Sequence, residues 1–272
     1  MILKETYELN NGIQIPKLGF GTWQIPQEQV TVPVIQAVKA GYRHIDTAAA
    51  YGNEKGVGTG IRDCGVAREE LFITTKIPAE VKSYEGAKEI IAASLTNLSL
   101  DYIDLMLIHA PKPWSEMGDP DSYRYTKENV EVYRALEEAY EAGRLRAIGV
   151  SNFNEADLDN LLAHCRVKPA VNQIQVNIAY TQYPLVQYCQ EKDILVMAYS
   201  PSATGRMLHN AVALQMADKY QVSVAQLCIR FDLQLGTAPI PKTTHEAYMI
   251  QNAQVDFEIS EEDMQILLAV AE

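Results

Sequence analysis

Short apolar runs, separated by longer amphipathic stretches, dominate the pattern of this chain. Eight runs have the length and composition of strands, and most of the segments between them have helical spacing. The runs are Leu18–Phe20, Arg43–Thr47, Leu71–Ile77, Asp104–His109, Leu145–Val150, Ala170–Gln175, Ile194–Tyr199 and Ala238–Lys242. Strands that alternate with helices along a chain predict a parallel sheet covered by helices.

The two kinds of segment differ in their period. Between Tyr84 and Leu98 the apolar or small residues fall on one stripe of a 3.6-residue period, which predicts a helix lying on the sheet. The stripe consists of Ala87, Ile90, Ile91, Ser94, Leu95 and Leu98. The run Ile194–Tyr199 is apolar throughout, as expected of a strand buried on both faces.

Eight strands in 272 residues favour a (β/α)8 TIM barrel, which typically has about 250 residues, over two doubly wound domains. We therefore predict an α/β fold in which residues 1–272 form a single barrel domain, with a short N-terminal β-hairpin as a cap. In such a barrel the reacting groups lie at the carboxyl ends of the strands.

Charge and hydropathy exclude several classes of function. Lysine and arginine number 23 against 35 acidic residues, so the net charge is −12. Without a basic run, a nucleic-acid backbone would be repelled. No apolar run approaches the roughly 18 residues of a membrane span. The amino terminus also lacks the features of a signal peptide, which predicts a cytoplasmic location.

Cysteine and histidine spacing gives no indication of a metal or of disulfides. Cys64, Cys165, Cys189 and Cys228 form no C-x-x-C pair and are expected to be buried thiols. The five histidines form no H-x-x-x-H or H-E-x-x-H pair, so no metal site is predicted.

One glycine-rich stretch imitates a dinucleotide fingerprint. Gly56, Gly58 and Gly60 would need a further glycine at position 61 and a strand directly before them, and the chain has neither. Helix packing explains these glycines better.

Four proton-handling groups lie at or just beyond three successive predicted strands. Asp46, Lys76 and His109 end the strands, and Tyr51 follows the first of them. Taken singly, Asp46 could be a helix cap, Lys76 a surface cation and His109 a core histidine with its hydrogen bonds satisfied. Their common position at the carboxyl ends of the strands favours a single active site at that end, the mouth of the barrel.

Ordered motifs over nearly the whole chain carry a family resemblance. The segments LGFGTW at 18–23, DTAAAYGNE at 46–54, TTK at 74–76, DLMLIH at 104–109, GVSNF at 149–153, VNQ at 171–173, AYSP at 198–201 and IPK at 240–242 resemble those of the aldo-keto reductases. The resemblance implies a barrel that binds a nicotinamide dinucleotide without a Rossmann domain and reduces aldehydes or ketones. It also implies that Asp46, Tyr51, Lys76 and His109 are the catalytic tetrad.

The reaction needs side chains of these types. A hydride that reaches a carbonyl carbon creates an oxyanion, and a nearby acid must protonate it. We expect the Lys76 ammonium to lower the pKa of Tyr51 and Asp46 to keep Lys76 charged. His109 is expected to orient the carbonyl oxygen toward Tyr51.

The resemblance also assigns cofactor-binding roles along the chain. It places Ser151, Asn152 and Gln173 on the nicotinamide amide and the Tyr199 ring against the nicotinamide. The remaining assignments are Gly21 and Thr22 beside the cofactor, Ser200, Ser202 and Thr204 at the pyrophosphate, Lys242 and Thr243 at the 2′-phosphate, and Tyr248, Gln251 and Asn252 at the adenosine.

The chain departs from the family at the 2′-phosphate. Tyr248 stands six residues after Lys242, where the family has an arginine. Arginine grips phosphate bidentately, whereas lysine acts as a point charge. We therefore expect NADPH to be preferred by a reduced margin and NADH to be used as well.

The substrate site is expected to involve Trp23, Ala110 and Trp114 together with Tyr51 and His109. Many relatives carry tryptophan where Ala110 stands, so a wider pocket is predicted. The segment Lys112–Lys127 is either a lid or a flexible tether. Because the chain stops at Glu272, soon after a predicted helix Glu261–Val270, the mouth is expected to be open.

Two other functions remain open at this point. A barrel without catalysis could serve as a cofactor sensor or a structural protein, and Lys76 could form a Schiff base in an aldolase. If the protein reduces carbonyls, the expected partner is a small-molecule carbonyl substrate. A monomer is favoured over an oligomer.

Overall fold

The chain folds around eight parallel strands, and the computed structural model describes residues 1–119 and 121–270 of it. An antiparallel hairpin of β1 (Thr6–Glu8) and β2 (Gln14–Pro16) precedes them. The parallel strands are β3 (Phe20–Gly21), β4 (His44–Asp46), β5 (Phe72–Ile77), β6 (Ile103–Ile108), β7 (Leu145–Ser151), β8 (Val171–Gln175), β9 (Leu195–Tyr199) and β10 (Ala238–Pro239). They pair in chain order, so the predicted (β/α)8 architecture is confirmed.

Backbone hydrogen bonds close the sheet into a barrel. The amides of Gly19 and Gly21 donate to the carbonyls of Pro239 and Pro241, each at 3.0 Å. A Cβ at position 21 would lie 2.9 Å from the Ile240 carbonyl oxygen, so only glycine allows this approach of β3 to the last strand.

Helices cover the outside of the barrel. They are α1 (Thr31–Lys39), α2 (Glu54–Asp63), α3 (Tyr84–Leu98), α4 (Thr126–Glu141), α5 (Glu155–Leu162), α6 (Tyr183–Glu191), α7 (Ala211–Tyr220), α8 (Val224–Gln234), α9 (Glu246–Asn252) and α10 (Glu261–Leu268). The predicted stripe of α3 is buried except at Ile90, which is half-buried. The predicted lay of this helix on the sheet is thereby confirmed.

The N-terminal hairpin caps the amino-terminal end of the barrel. Leu9 and Ile15 pack with the side chains inside the barrel, including Phe72 and Leu105. At the hairpin tip the Asn10 side chain donates to the carbonyls of Pro169 and Asp193, and Asn11 donates to that of Arg146. The predicted cap is therefore present, and it lies opposite the carboxyl ends of the strands.

The glycine-rich stretch belongs to α2, as the helix-packing interpretation requires. A Cβ on Gly58 would come within 2.3 Å of the Leu98 carbonyl oxygen, at the end of α3. A Cβ on Gly60 would come within 2.7 Å of Val34 on α1. These glycines allow neighbouring helices to pack closely and form no nucleotide-binding turn.

Some predicted boundaries and one burial assignment are wrong. The last strand ends at Pro239 rather than at Lys242, because Pro239 and Pro241 have no N–H to extend the ladder. The first barrel strand is Phe20–Gly21, and the last helix ends at Leu268. Cys165 is half-buried, whereas the other three cysteines are buried thiols as predicted.

Among the helices of the described residues, none is long and apolar enough to span a membrane. Within residues 1–119 and 121–270, no three His, Cys, Asp or Glu side chains are grouped so that they could hold a metal ion.

Candidate active site

A fully buried lysine lies at the centre of the site. Lys76 on β5 extends into the barrel, where its Nζ lies 2.7 Å from Asp46 Oδ1 and donates to the Thr47 carbonyl at 2.7 Å. The second carboxylate oxygen of Asp46 accepts from Gln173 Nε2 at 2.8 Å. Lys76 is therefore no surface cation, and Asp46 caps no helix.

Burial and attraction act in opposite directions on this pair. Burial raises the pKa of Asp46 and lowers the pKa of Lys76. The Lys76 charge and the Gln173 amide oppose the first shift, and the Asp46 carboxylate opposes the second. Each charge is stabilised mainly by the other, because water cannot reach them.

Tyr51 lies above Lys76 at the end of a short 3-10 helix, Ala49–Tyr51. Its hydroxyl oxygen is 3.4 Å from Lys76 Nζ, and its ring centroid is 5.6 Å from that of His109. Burial raises the pKa of Tyr51 well above 10, and the Asp46 carboxylate raises it further. The predicted lowering of the Tyr51 pKa is wrong, because burial of the phenol and the Asp46 carboxylate both raise it.

His109 directly follows β6 and contacts two aromatic rings. The Trp114 ring meets the imidazole edge-on with centroids 5.2 Å apart, and the Tyr51 ring does so at 5.6 Å. Burial and the Lys76 charge lower the pKa of His109 to about 3, so the imidazole is neutral at pH 7. Its Nδ1 is buried without a hydrogen-bond partner. The side chain is thus not a core histidine with its hydrogen bonds satisfied.

Asn53 supports this arrangement, although sequence analysis assigned no separate role to it. Its amide donates to the carbonyls of Thr22 and Ile25 and accepts from the Thr47 hydroxyl. Thr22 in turn donates its hydroxyl to the Asp46 carbonyl at 2.9 Å. Thr22 thus braces the backbone of Asp46, and the buried Asn53 joins the loops after β3 and β4.

The residues assigned to the nicotinamide amide form one hydrogen-bonded cluster. Asn152 donates to Ser151 Oγ and accepts from the Tyr199 hydroxyl at 2.9 Å, while Ser151 donates to the Gln173 carbonyl. Asn152 adopts a left-handed conformation with φ of 61°. This cluster holds the half-buried Tyr199 ring in a fixed orientation at the end of β9.

The loop after β9 carries the residues assigned to the pyrophosphate. Ser200, Ala203 and Thr204 have φ between 51° and 54°, a conformation that costs a non-glycine residue about 1 kcal/mol. Such strain clusters at functional sites. Ser200 and Ser202 are half-buried, and Thr204 is exposed.

A cavity of about 480 Å³ adjoins this loop. Its walls include Gln175, Tyr180, Ala203, Arg206, Met207 and His209. The sequence prediction omitted Arg206, although it is the only lysine or arginine between Asp193 and Asn210. A single cation in a polar loop was the sequence feature that could have identified Arg206 as a candidate.

The residues assigned to the adenosine end lie on and before α9. Lys242 is exposed and Thr243 half-buried, with the Thr243 hydroxyl accepting from the His245 amide. Tyr248 is 55% exposed and meets the His245 ring edge-on. Gln251 is half-buried, and Asn252 is buried at the end of the helix.

Two tryptophans stand at the mouth of the barrel. Trp23 and Trp114 are 46% and 44% exposed, whereas Ala110 is fully buried. The Trp114 ring lies beside the His109 imidazole, with centroids 5.2 Å apart. The wider pocket expected at Ala110 stays a prediction.

The segment Lys112–Lys127, called the lid below, is tied by internal contacts. Lys112 Nζ donates to Ser122 Oγ at 2.6 Å and to the Asp119 carbonyl, and the Tyr125 hydroxyl donates to Glu116. The Tyr123 and Tyr125 rings pack edge-on at 4.9 Å. These contacts favour a lid over a flexible tether, while Pro120 lies outside the described residues.

The side chains present suit a nicotinamide dinucleotide and a carbonyl. An amide-rich cluster and an anchored tyrosine ring match the polar and flat faces of a nicotinamide. A neutral imidazole has one N–H to donate. Because Nδ1 of His109 is buried, the other ring nitrogen is the one that could give it to a carbonyl oxygen.

Comparison with known proteins agrees with this geometry. The model of the aldo/keto reductase family matches residues 17–272. The chain is 45% identical to glyoxal reductase of Bacillus subtilis, over 96% of this chain and 91% of that protein. It is 39% identical to 9,11-endoperoxide prostaglandin H2 reductase of Trypanosoma cruzi, over 94% and 88% respectively.

Solved structures give the same result. An aldo/keto reductase from Brucella melitensis superposes with a TM-score of 0.91 at 36% identity, covering 99% of each chain. The aldo-keto reductase of Bombyx mori, solved in complex with NADP, superposes with a TM-score of 0.88 at 36% identity, covering 98% of this chain and 92% of that one. The chain belongs to the aldo/keto reductase family, and it is an oxidoreductase.

The lowered pKa of His109 leads to a first prediction. Because burial and Lys76 both disfavour the imidazolium, the ring should stay neutral from pH 8 down to pH 5. Ring-nitrogen NMR on protein labelled with ¹⁵N-histidine measures this, with the His109→Gln variant assigning the signal. A protonation midpoint near the ordinary value of about 6.5 would contradict the neutral ring.

Proposed function

We propose that this enzyme reduces aldehydes and ketones to alcohols with a nicotinamide cofactor and that Tyr51 is the proton donor. One observation carries the proposal: a protonated phenol, a buried ammonium and an unsatisfied neutral imidazole meet at the open end of the barrel. The Tyr51 hydroxyl is 3.4 Å from Lys76, and the rings of Tyr51 and His109 are 5.6 Å apart.

The roles of the residues follow from their protonation. The raised pKa of Tyr51 keeps its phenol protonated at neutral pH, so a proton is always available. His109 donates a hydrogen bond to the carbonyl oxygen and holds it beside the phenol. When bound, the nicotinamide supplies the hydride to the carbonyl carbon. The carbonyl oxygen then takes the proton from Tyr51, and an alcohol results.

Lys76 acts after the proton has left. The phenolate that remains on Tyr51 faces the Lys76 ammonium, which stabilises the negative charge as it develops. Asp46 keeps Lys76 charged inside the barrel and holds it through the 2.7 Å contact. In stabilising the tyrosinate, Lys76 also opposes the increase in the Tyr51 pKa that burial and Asp46 cause.

NADP(H) is the cofactor that we propose, with NADH as a second one. Lys242 and Thr243 stand where the family binds the 2′-phosphate, and Lys242 is exposed and free to reach it. Tyr248 provides a ring in place of a second cation. Arg206, beside the strained loop after β9, is proposed as a further contact for the pyrophosphate.

The two alternatives are less consistent with the site. A Schiff-base lysine must present a neutral amine to its substrate, whereas Lys76 is fully buried and engaged with Asp46 and Thr47. A barrel without catalysis would not need a phenol and a neutral imidazole placed next to a buried ion pair. Oxidation of NADPH by the enzyme with a simple aldehyde, together with borohydride trapping, separates the three.

Small neutral carbonyls are the proposed substrates. The exposed Trp23 and Trp114 offer apolar surface at the mouth. The positive charge of the buried Lys76 is balanced by the Asp46 carboxylate, so it does not favour an anionic substrate. We further propose that residues 1–272 act as one domain and as a monomer. A cytoplasmic location is proposed as well, and the four free cysteines are consistent with it.

Replacement of the proposed acid is the second prediction. Tyr51→Phe should lower kcat by about 10² to 10⁴, the usual contribution of a general acid, while NADPH still binds. Steady-state reduction of a simple aldehyde and a fluorescence titration with NADPH measure the two properties. Tyr188→Phe is the matched control, because Tyr188 lies on α6 and its hydroxyl contacts Asp159. A near-normal kcat in Tyr51→Phe would remove Tyr51 from the mechanism.

The third prediction concerns cofactor choice. Tyr248→Arg should tighten NADPH binding by about 1 to 3 kcal/mol, the scale of a charge-assisted contact, and leave NADH binding unchanged. Tyr248→Phe is the control that keeps the ring without adding charge. Calorimetric titration of both cofactors tests this, and a wild-type enzyme that excludes NADH completely would show the argument to be wrong.

A further inference from the structure

Side chains hold three consecutive carbonyls immediately after the last residue of β6. The His109 carbonyl accepts from Asn152 Nδ2 at 3.0 Å, that of Ala110 from Lys82 Nζ at 2.9 Å, and that of Pro111 from Asn129 Nδ2 at 2.9 Å. The donors belong to the loop after β7, the loop after β5 and α4. The His109 amide still donates to the Ile77 carbonyl of β5 at 3.0 Å, so sheet pairing ends at this residue and side chains hold the carbonyls.

Lys82 is the charged member of this clamp. Besides the Ala110 carbonyl, its ammonium donates to Asn129 Oδ1 at 3.0 Å and lies 5.6 Å from the Tyr125 ring centroid. It forms no ion pair with any carboxylate of the described residues. Most lysine side chains keep their ammonium group in water. The half-buried Lys82 instead donates its N–H groups to carbonyl oxygens, which indicates that it positions the backbone.

Lys82 also joins two parts of the mouth. Through Ala110 it holds the backbone next to His109, and through the Tyr125 ring it contacts the far end of the lid. The near end of the lid carries Trp114, which packs on the His109 ring. The Trp114 amide donates to Glu80 Oε1, on the same loop as Lys82, at 3.4 Å. The loop around Lys82 thus contacts both the backbone next to His109 and the tryptophan that packs on its ring.

We propose that Lys82 is a positioning residue for carbonyl reduction, which fixes the Ala110 carbonyl and thereby the His109 ring opposite Tyr51. The inference rests on the proposed function, since it assigns His109 the task of orienting the substrate. Lys82 does not touch the reacting atoms. Its effect is on geometry, and displacement of a catalytic group by about 1 Å can cost about 10²-fold in rate.

The charged surroundings of Lys82 add a pH dependence. Burial lowers its pKa to about 8, while Glu80 on its own loop, Asp157 on α5, Glu128 on α4 and Glu116 in the lid oppose that shift. Lys112 and Arg124 counter the charge of Asp157. Below pH 8 the ammonium is intact. Above it the neutral amine is a weaker donor, so the clamp loosens and kcat should fall.

The experiment compares Lys82→Met and Lys82→Arg with the wild-type enzyme. Lys82→Met keeps the apolar stem and removes the donor, whereas Lys82→Arg keeps a cation that does not titrate below pH 12. Lys88→Met on α3 is the matched control, because Lys88 also lies over a tyrosine ring, that of Tyr84, but is exposed. Aldehyde reduction is followed from pH 6 to pH 10, with NADPH affinity and thermal unfolding measured alongside.

We expect Lys82→Met to lower kcat by about 10- to 100-fold at pH 7, with NADPH affinity unchanged. The wild type should lose kcat with a midpoint near pH 8, and Lys82→Arg should lose this alkaline limb. Wild-type kcat in Lys82→Met would overturn the inference. So would the same alkaline midpoint in Lys82→Arg, which decides the matter if Lys82→Met does not fold.

Failure of the role proposed for Lys82 can be distinguished from failure of the proposed function by comparing Lys82→Met with Tyr51→Phe. If Tyr51→Phe is inactive while Lys82→Met behaves as wild type, only the role of Lys82 is refuted. If Tyr51→Phe is fully active, the proton-donor assignment fails whatever Lys82 does.

Discussion

The contact between Asp46 and Lys76 is the interaction on which the site depends. Both groups are buried inside the barrel at 2.7 Å, and neither would be stable there alone. Removal of one partner from such a pair typically costs about 3 to 5 kcal/mol, because the other charge is left without water or a counter-ion. The barrel supports the pair from several strands, with Thr47 after β4 and Gln173 on β8 supplying further hydrogen bonds. Tyr51 is then placed by the lysine beneath it.

Loops arrange the other side chains of the mouth around the Asp46–Lys76 pair. Asn53 ties the loops after β3 and β4 together, and Asn152 connects the His109 carbonyl with the Tyr199 hydroxyl. Lys82 and Asn129 hold the next two carbonyls. Loops of this kind are free to vary between relatives, whereas the strand ends are not, because the reacting groups must keep their distances. The strand ends of the barrel therefore carry the proposed reacting groups, and the loops control access to those groups.

The fold and the four central residues could be predicted because each has a local signal. Strand and helix periods predict the barrel, and an acid, a lysine and a histidine at successive strand ends predict their meeting. Lys82 has no such signal, since a lysine in a polar loop usually faces water, and its partners are the carbonyls of distant residues. The direction of the Tyr51 pKa was missed because the desolvation of the phenol and the opposing charge of Asp46 appear only in three dimensions. The burial of Ala110 escaped prediction for the same reason: it depends on neighbours remote in sequence.

We propose that Lys76, held charged by Asp46, stabilises the tyrosinate formed in the reaction. The single-turnover rate of hydride transfer tests this role, measured by stopped-flow loss of NADPH absorbance for the wild type and for Lys76→Met. The rate should fall by about 10² or more, while the NADPH dissociation constant changes little. A rate in Lys76→Met within about threefold of the wild type, with the same dependence on pH, would contradict it.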